Sequence, residues 1–257
     1  MSKLIDKLRK LSQATPQPMG FRTSRQVEAS SKILIIGRLA LNSATPPLKS
    51  DPVADAVLVQ IDASKPTDKD IQKAAKLLGD IPWGVYLEES DGDLATLIEA
   101  GCDFVVFSPA SLVPDLPQDE KVGKILQVES SMDDGLLRAI NDLPADAVLI
   151  NDTLDNDTTL TVHRLMIYRH LANFIAKPLI VPVATNITEA ELKALQDAEI
   201  DGVMVEMDGK DLKELRQAIS KLPARSARKR DKTGVLLPHL GGETIPTPPD
   251  EEEEEDE

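Results

Sequence analysis

Residues 178–206 read PLIVPVATNITEAELKALQDAEIDGVMVE. Two short β-branched runs, 178–183 and 202–205, flank a segment with helical spacing. Both runs are continuously apolar instead of alternating, which is how a strand covered on both faces reads in a parallel sheet. Thr188 and Glu191 form the S/T-x-x-E pattern of a capping box ahead of Leu192 and Leu195. The unit is strand, capped helix, strand. Parallel strands joined this way demand a right-handed crossover.

The same unit recurs outward from this stretch. Further short apolar runs stand at 32–37 (KILIIG), 56–61 (AVLVQI), 83–87 (WGVYL), 104–107 (FVVF), 124–128 (KILQV) and 147–150 (AVLI). Helical segments lie between most of them. Thr67 with Asp70 opens one that Gly79 closes, and 91–100 is a short one closed by Gly101. Ser131 with Asp134 opens the next, 158–176 is the longest, and Asp208 caps the last, over 210–222. Eight strand–helix units are what a closed (β/α)8 barrel, the TIM barrel, requires. An open doubly wound sheet is the alternative, but no G-x-G-x-x-G follows the first run. Two connections fit the pattern poorly. Residues 39–55 carry Pro46, Pro47 and Pro52, and 109–121 carry Pro109, Pro114 and Pro117, leaving room for a helical turn or two at most.

The barrel is expected over 31–223, preceded by a helix and connector (1–30) and followed by a basic, then acidic, disordered tail (224–257). Residues 1–12 place Leu4, Ile5, Leu8 and Leu11 on one stripe with Lys3, Lys7, Arg9 and Lys10 elsewhere. That stripe suits a helix closing the bottom of the barrel or packing on another subunit in a homo-oligomer. An anionic membrane surface is the competing use. Only seven residues are aromatic, so the core is aliphatic. The net charge is −15, of which 250–257 supply eight, and the remaining −7 is ordinary for solubility. An acidic body disfavours nucleic acid as a partner. The tail's basic stretch, 225–232, is expected to pair with its own acidic run or with a protein partner. One cysteine, Cys102, excludes an internal disulfide. No apolar run is long enough for an integral membrane segment, and a cytoplasmic location is the expectation.

Barrel sites lie where the strands end at their C-termini, and alternate residues of a strand share a face. Those ends present Arg38, Gln60 and Asp62, Glu88 and Glu89, Ser108, Gln127 and Glu129, Asn151 and Asp152, Thr185 and Asn186, and Glu206 and Asp208. Carboxylates converging on one mouth repel one another, so they need a cation, Arg38 or hydrogen-bond donors unless they stand in water. Mg2+ or Mn2+ held by two or three of Asp62, Glu88, Glu129, Asp152 and Glu206 is one solution, and would polarise a carbonyl oxygen. The bland use of Asp152, Asp208 and Glu89 is to cap helices. No Lys stands at a strand end, which argues against a Schiff-base aldolase. His163, His170 and His239 are all away from the strand ends, which argues against zinc. The last two loops hold no glycine-rich phosphate cradle. Cys102 precedes its strand, at the wrong end for a nucleophile.

Residues 124–150, KILQVESSMDDGLLRAINDLPADAVLI, together with 98–109, IEAGCDFVVFSP, resemble the metal-dependent keto-deoxy-acid aldolases and the citrate lyase β-subunit superfamily. There a strand ending in Glu-Ser or Glu-Thr precedes a helix and a further strand. The resemblance implies Glu129 as a metal ligand, with Asp152 or Asp155 as its partner. The His expected after the second strand and the Arg expected on the third are absent from QIDASKP (60–66) and GVYLEE (84–89).

Three uses of the barrel follow. A divalent-metal lyase or aldolase-like enzyme would hold its metal on Glu129 and Asp152, bind the carboxylate of a small carboxylated or keto acid through Arg38, and use Glu88 as base. A non-catalytic interaction or assembly module would work through the two terminal segments. A flavin or other phosphate-bearing cofactor would meet the amides of Gln60, Gln127 and Asn151.

Overall fold

The computed structural model describes residues 2–12, 32–41, 53–61, 68–87, 94–113, 117, 119, 121–152, 160–207 and 212–224. The expected mouth roles of Asp62, Glu88, Glu89 and Asp208, and the tail beyond 224, lie outside these residues, as does the connector over 13–30.

Eight parallel strands close into a barrel in chain order: β1 (Leu34–Leu41), β2 (Ala56–Ile61), β3 (Trp83–Leu87), β4 (Phe104–Phe107), β5 (Gly123–Glu129), β6 (Ala147–Asn151), β7 (Leu179–Pro182) and β8 (Gly202–Glu206). Closure comes from β1 pairing with both β2 and β8, Arg38 opposite Leu58 on one side and opposite Glu206 on the other. The helices are α1 (Lys3–Ser12), α2 (Asp68–Leu78), α3 (Leu94–Glu99), α4 (Asp134–Ala139), α5 (Val162–Phe174), α6 (Glu189–Asp197) and α7 (Lys213–Lys221). Among the described residues no α-helix follows β1 or β4, the two proline-bearing connections. No described helix is long and apolar enough to cross a membrane.

The capping box forms as read, with the Thr188 hydroxyl accepting from the Glu191 N–H while the Glu191 carboxylate accepts from the Thr188 N–H. Burial works against ionisation of Glu191. Hydrogen bonds from the N–H and hydroxyl of Thr188 and the N–H of Leu160 outweigh it and hold the carboxyl below its ordinary pKa. Three boundaries move. The last helix, α7, begins at Lys213 behind Leu212 with no side-chain cap, instead of at 210 behind Asp208. Asp133, not Ser131, caps α4 by accepting from the N–H groups of Gly135 and Leu136. The long helix starts at Val162 behind the Thr161 cap, because that hydroxyl accepts from the Arg164 N–H and fixes the first turn there.

Two buried layers result from the alternation of side chains along each strand. Outward residues such as Ile35, Val57, Val105, Val148 and Val203 pack on Leu137, Tyr168, Leu171, Leu192, Leu195 and Leu215 of the helices. Inward residues Leu34, Ile36, Ala56, Leu58, Phe104, Val106, Ile125, Ala147, Leu149, Ile180 and Met204 fill the barrel, and Leu4, Ile5, Leu8 and Leu11 of α1 join them. The N-terminal helix therefore closes the floor, and its apolar stripe is consumed there. Each of those four aliphatic side chains contributes about 1.5–3 kcal/mol relative to exposure. Gly84 and Gly123 make the packing feasible. A Cβ on Gly84 would lie 2.5 Å from the Phe104 ring, and one on Gly123 would lie 2.6 Å from Ile5.

A repeated device ties the floor together. Asp55, Asp103, Asp146 and Asp201 stand immediately before β2, β4, β6 and β8. Each donates its N–H to a carbonyl near the start of the preceding strand. Three return the interaction through the carboxylate, which accepts from the N–H of Ile35, Lys124 and Leu179 respectively. Asp103 differs. Its carboxylate accepts from the Ser2 hydroxyl and from the N–H groups of Lys3 and Leu4, capping α1 from another part of the chain.

Candidate functional site at the barrel mouth

Because Ile36, Leu58 and Met204 point inward, Arg38, Gln60 and Glu206, two residues further along their strands, point inward at the opposite, C-terminal end. Three distant stretches thus meet on adjacent strands. Arg38 donates from Nε and Nη2 to Oε1 of Gln60, at 3.0 and 2.7 Å. Its Nη1 lies 3.1 Å from Oε1 of Glu206. The backbone continues the tie, with the Met207 N–H donating to the Arg38 carbonyl at 2.8 Å.

Tyr86 of β3 completes this sector. It is half-buried against the inward core, and burial pushes its phenol pKa up, with the field of Arg38 opposing and that of Glu206 adding. The hydroxyl therefore stays protonated at neutral pH and can donate. Tyr86 is a site residue that the strand ends alone do not single out, because it lies one position before the end of β3.

The other half of the mouth carries Gln127 and Glu129 on β5 and Asn151 on β6. Glu129 stands opposite Asn151 in the register, both exposed, and Gln127 is half-buried opposite Leu149. Asp152 does not join them. Ala147, Leu149 and Asn151 share the inward parity, so Asp152 follows Val148 and Ile150 outward to α5. There it accepts from the Tyr168 hydroxyl at 2.9 Å and pairs with Arg164 Nε at 3.2 Å. Glu129 and Asp152, expected to share a cation, occupy opposite faces of the barrel wall. Among the described residues no three or more His, Cys, Asp or Glu side chains gather as a metal would require.

Cys102 is buried at the other end of the barrel, where burial pushes its thiol up to about 12 and its Sγ lies 3.2 Å from the Phe104 carbonyl oxygen. It is a packing residue.

No protein-family model matches the sequence, and no curated protein matches it. Solved structures do resemble the fold. The chain superposes on tryptophan synthase from M. tuberculosis with a TM-score of 0.57 at 14% identity, covering 86% of this chain and 97% of that one. For a tryptophan synthase α-subunit from Pyrococcus furiosus the values are 0.50, 14%, 74% and 97%. For the proposed copper homeostasis protein CutC from Streptococcus agalactiae they are 0.51, 12%, 67% and 98%. At such identities the likeness is one of architecture and carries no activity. The chain is a (β/α)8 barrel with a polar, arginine-bearing mouth.

Proposed function

We propose that the protein binds a small carboxylated or keto acid at the C-terminal mouth and acts on it as a lyase or aldolase-like enzyme. The observation that carries this reading is the setting of Arg38. A guanidinium faces inward above an apolar floor, aimed by a neutral amide, where barrels place their ligands. Arg38 would receive the carboxylate through paired N–H donors. Tyr86 would donate to a neighbouring oxygen. Glu206 beside Arg38, or Glu88, the residue that follows β3 in sequence, would take the proton.

Pyruvate titrated calorimetrically against the full chain and against Arg38→Met tests the binding step. The substitution should weaken binding about tenfold or more, since hydrogen bonds to charged groups contribute about 1.5–3 kcal/mol. Undiminished binding by the variant would overturn the assignment.

The aldolase resemblance also brings in Mg2+ or Mn2+. Glu129 has the right face for a ligand, but Asp152 is engaged with Arg164 and Tyr168 on the other side of the wall. The described donors do not make a cation cage. A rise in Tm with added Mg2+ or Mn2+, lost in Glu129→Gln, would bring the ion back.

A second reading, an assembly module, is supported by exposed apolar side chains on the outer wall: Leu136 on α4, and Val162 and Met166 one turn apart on α5. Sedimentation of the full chain against one ending at 224, and against Val162→Ser with Met166→Ser, tests it. Identical behaviour of all three would remove it.

A further inference from the structure

Arg38 has two partners that differ in kind. Gln60 is neutral and half-buried, and accepts from two guanidinium donors at once, so it sets the orientation of the group. Glu206 ends β8 with 52% of its side chain exposed and meets Arg38 at 3.1 Å, while Arg38 itself is 34% exposed. A pair so open to water is weak and salt-screened. A ligand carboxylate able to take two parallel N–H donors makes the stronger geometry. Register sets the two side chains side by side, because Arg38 and Glu206 stand directly opposite on adjacent strands and face the same way.

We infer that Glu206 is an internal stand-in for the ligand's carboxylate, keeping Arg38 paired and aimed until a small organic acid takes its place. The inference rests on the reading that Arg38 receives the ligand, and it adds a selection rule. Once displaced, the Glu206 carboxylate remains beside the ligand and repels a second anionic group. The site therefore takes monocarboxylates with an oxo or hydroxyl oxygen, which the protonated Tyr86 hydroxyl can meet, and disfavours dicarboxylates. Tyr86 follows Val85, which pairs with Val59 on β2, so it stands beside Gln60 on the inward face, packed on the barrel core.

Calorimetric titration of the full-length protein with pyruvate and with oxomalonate, which adds one carboxylate at the same oxo carbon, tests this. Glu206→Gln should bind pyruvate about two- to fivefold tighter than the parent, the fold-change that corresponds to losing one exposed ion pair. Its gain for oxomalonate should be larger. Glu189→Gln, an exposed change of the same charge in the first turn of α6, should leave both affinities in place. Equal gains in Glu189→Gln and Glu206→Gln would reduce the effect to net charge and overturn the inference. Weaker pyruvate binding by Glu206→Gln, with binding still lost in Arg38→Met, would make Glu206 a ligand-holding group; the inference would fall and the proposed function stand. Absence of binding to the parent and to Glu206→Gln at millimolar pyruvate would remove both.

Discussion

The Tyr168 hydroxyl donates to the Asp152 carboxylate at 2.9 Å, joining the middle of α5 to the end of β6 beneath the mouth. Tyr168 is 1% exposed, and Arg164, one turn earlier on α5, pairs with the same carboxylate oxygen. Tyr168→Phe removes a donor but leaves the ion pair, so it should cost about 1–3 kcal/mol in urea denaturation. The pH dependence carries a sign. Burial, and then the charge and hydrogen bond of Asp152, raise the phenol pKa in the folded protein, with Arg164 opposing. The folded state holds this proton more tightly than the unfolded chain. Its contribution is complete below the ordinary phenol pKa of about 10 and is lost as pH rises above that value. Tyr168→Phe should show a shallower loss of stability there, and an unchanged alkaline limb would contradict the assignment.

Asp103 should govern the seating of α1. Asp103→Ala deletes the acceptor for the Ser2 hydroxyl and for the N–H groups of Lys3 and Leu4. The loss of a helix cap costs about 0.5–2 kcal/mol. Hydrogen exchange should accelerate selectively across residues 4–11, with the β-strand amides little changed. Uniform acceleration over the whole barrel would mean that α1 does not open independently. Leu8→Ala, by contrast, should cost about 2–5 kcal/mol, because Leu8 is fully buried under the barrel.

The end of α6 stores strain. Glu199 has φ of 68°, while its N–H donates to the Gln196 carbonyl and the Ile200 N–H reaches back to Leu195. Gly101 occupies the same place after α3, with φ of 89° and the matching pair of bonds from Gly101 to Ile98 and from Cys102 to Leu97. This is the Schellman arrangement, which favours glycine. Glu199→Gly should raise stability by about 0.5–1 kcal/mol, because relief of the left-handed backbone exceeds the loss of a partly exposed ion pair to Arg169. Calorimetry should show a Tm higher by about 1–4 °C. A lower Tm would mean that the Arg169 contact outweighs the strain. Gly101→Ala should move stability the other way.

Cys102 should be inert in the folded protein. With the thiol buried and its pKa pushed up to about 12, little thiolate exists at neutral or mildly alkaline pH. Alkylation by iodoacetamide should track global unfolding and accelerate with urea only as the barrel opens. Rapid labelling of the native protein would show that the β4 end of the floor opens locally.

Much of the architecture was legible in local text. The capping box at Thr188 and Glu191 and the strand runs follow from interactions within a few residues. The amphipathic stripe of Leu4, Ile5, Leu8 and Leu11 announced a helix needing an apolar partner, and the floor of the barrel is that partner. The site was legible in part. Alternation along a strand put Gln127 and Glu129 on one face, since side-chain direction is a property of the strand alone; that Arg38, Gln60 and Glu206 face inward follows from the closed ring. Asp152 shows the limit. Adjacent to Asn151 in sequence, it takes the opposite face and meets Tyr168 and Arg164, which residues at a strand's last position cannot reveal when read as a list.

The sequence by itself determined which segments become strands and helices and which side of each strand a residue occupies, because backbone sterics and side-chain alternation act over a few residues. Only the closed ring decided who meets whom. Arg38 and Glu206 are 168 positions apart, and they face each other because β1 closes on β8 in one particular register. The carboxylate of Asp103 serves α1 instead of its own strand neighbour because packing brings the N-terminal helix across the floor. Such meetings depend on long-range pairing, whose energy belongs to the assembled barrel and to no single stretch of it.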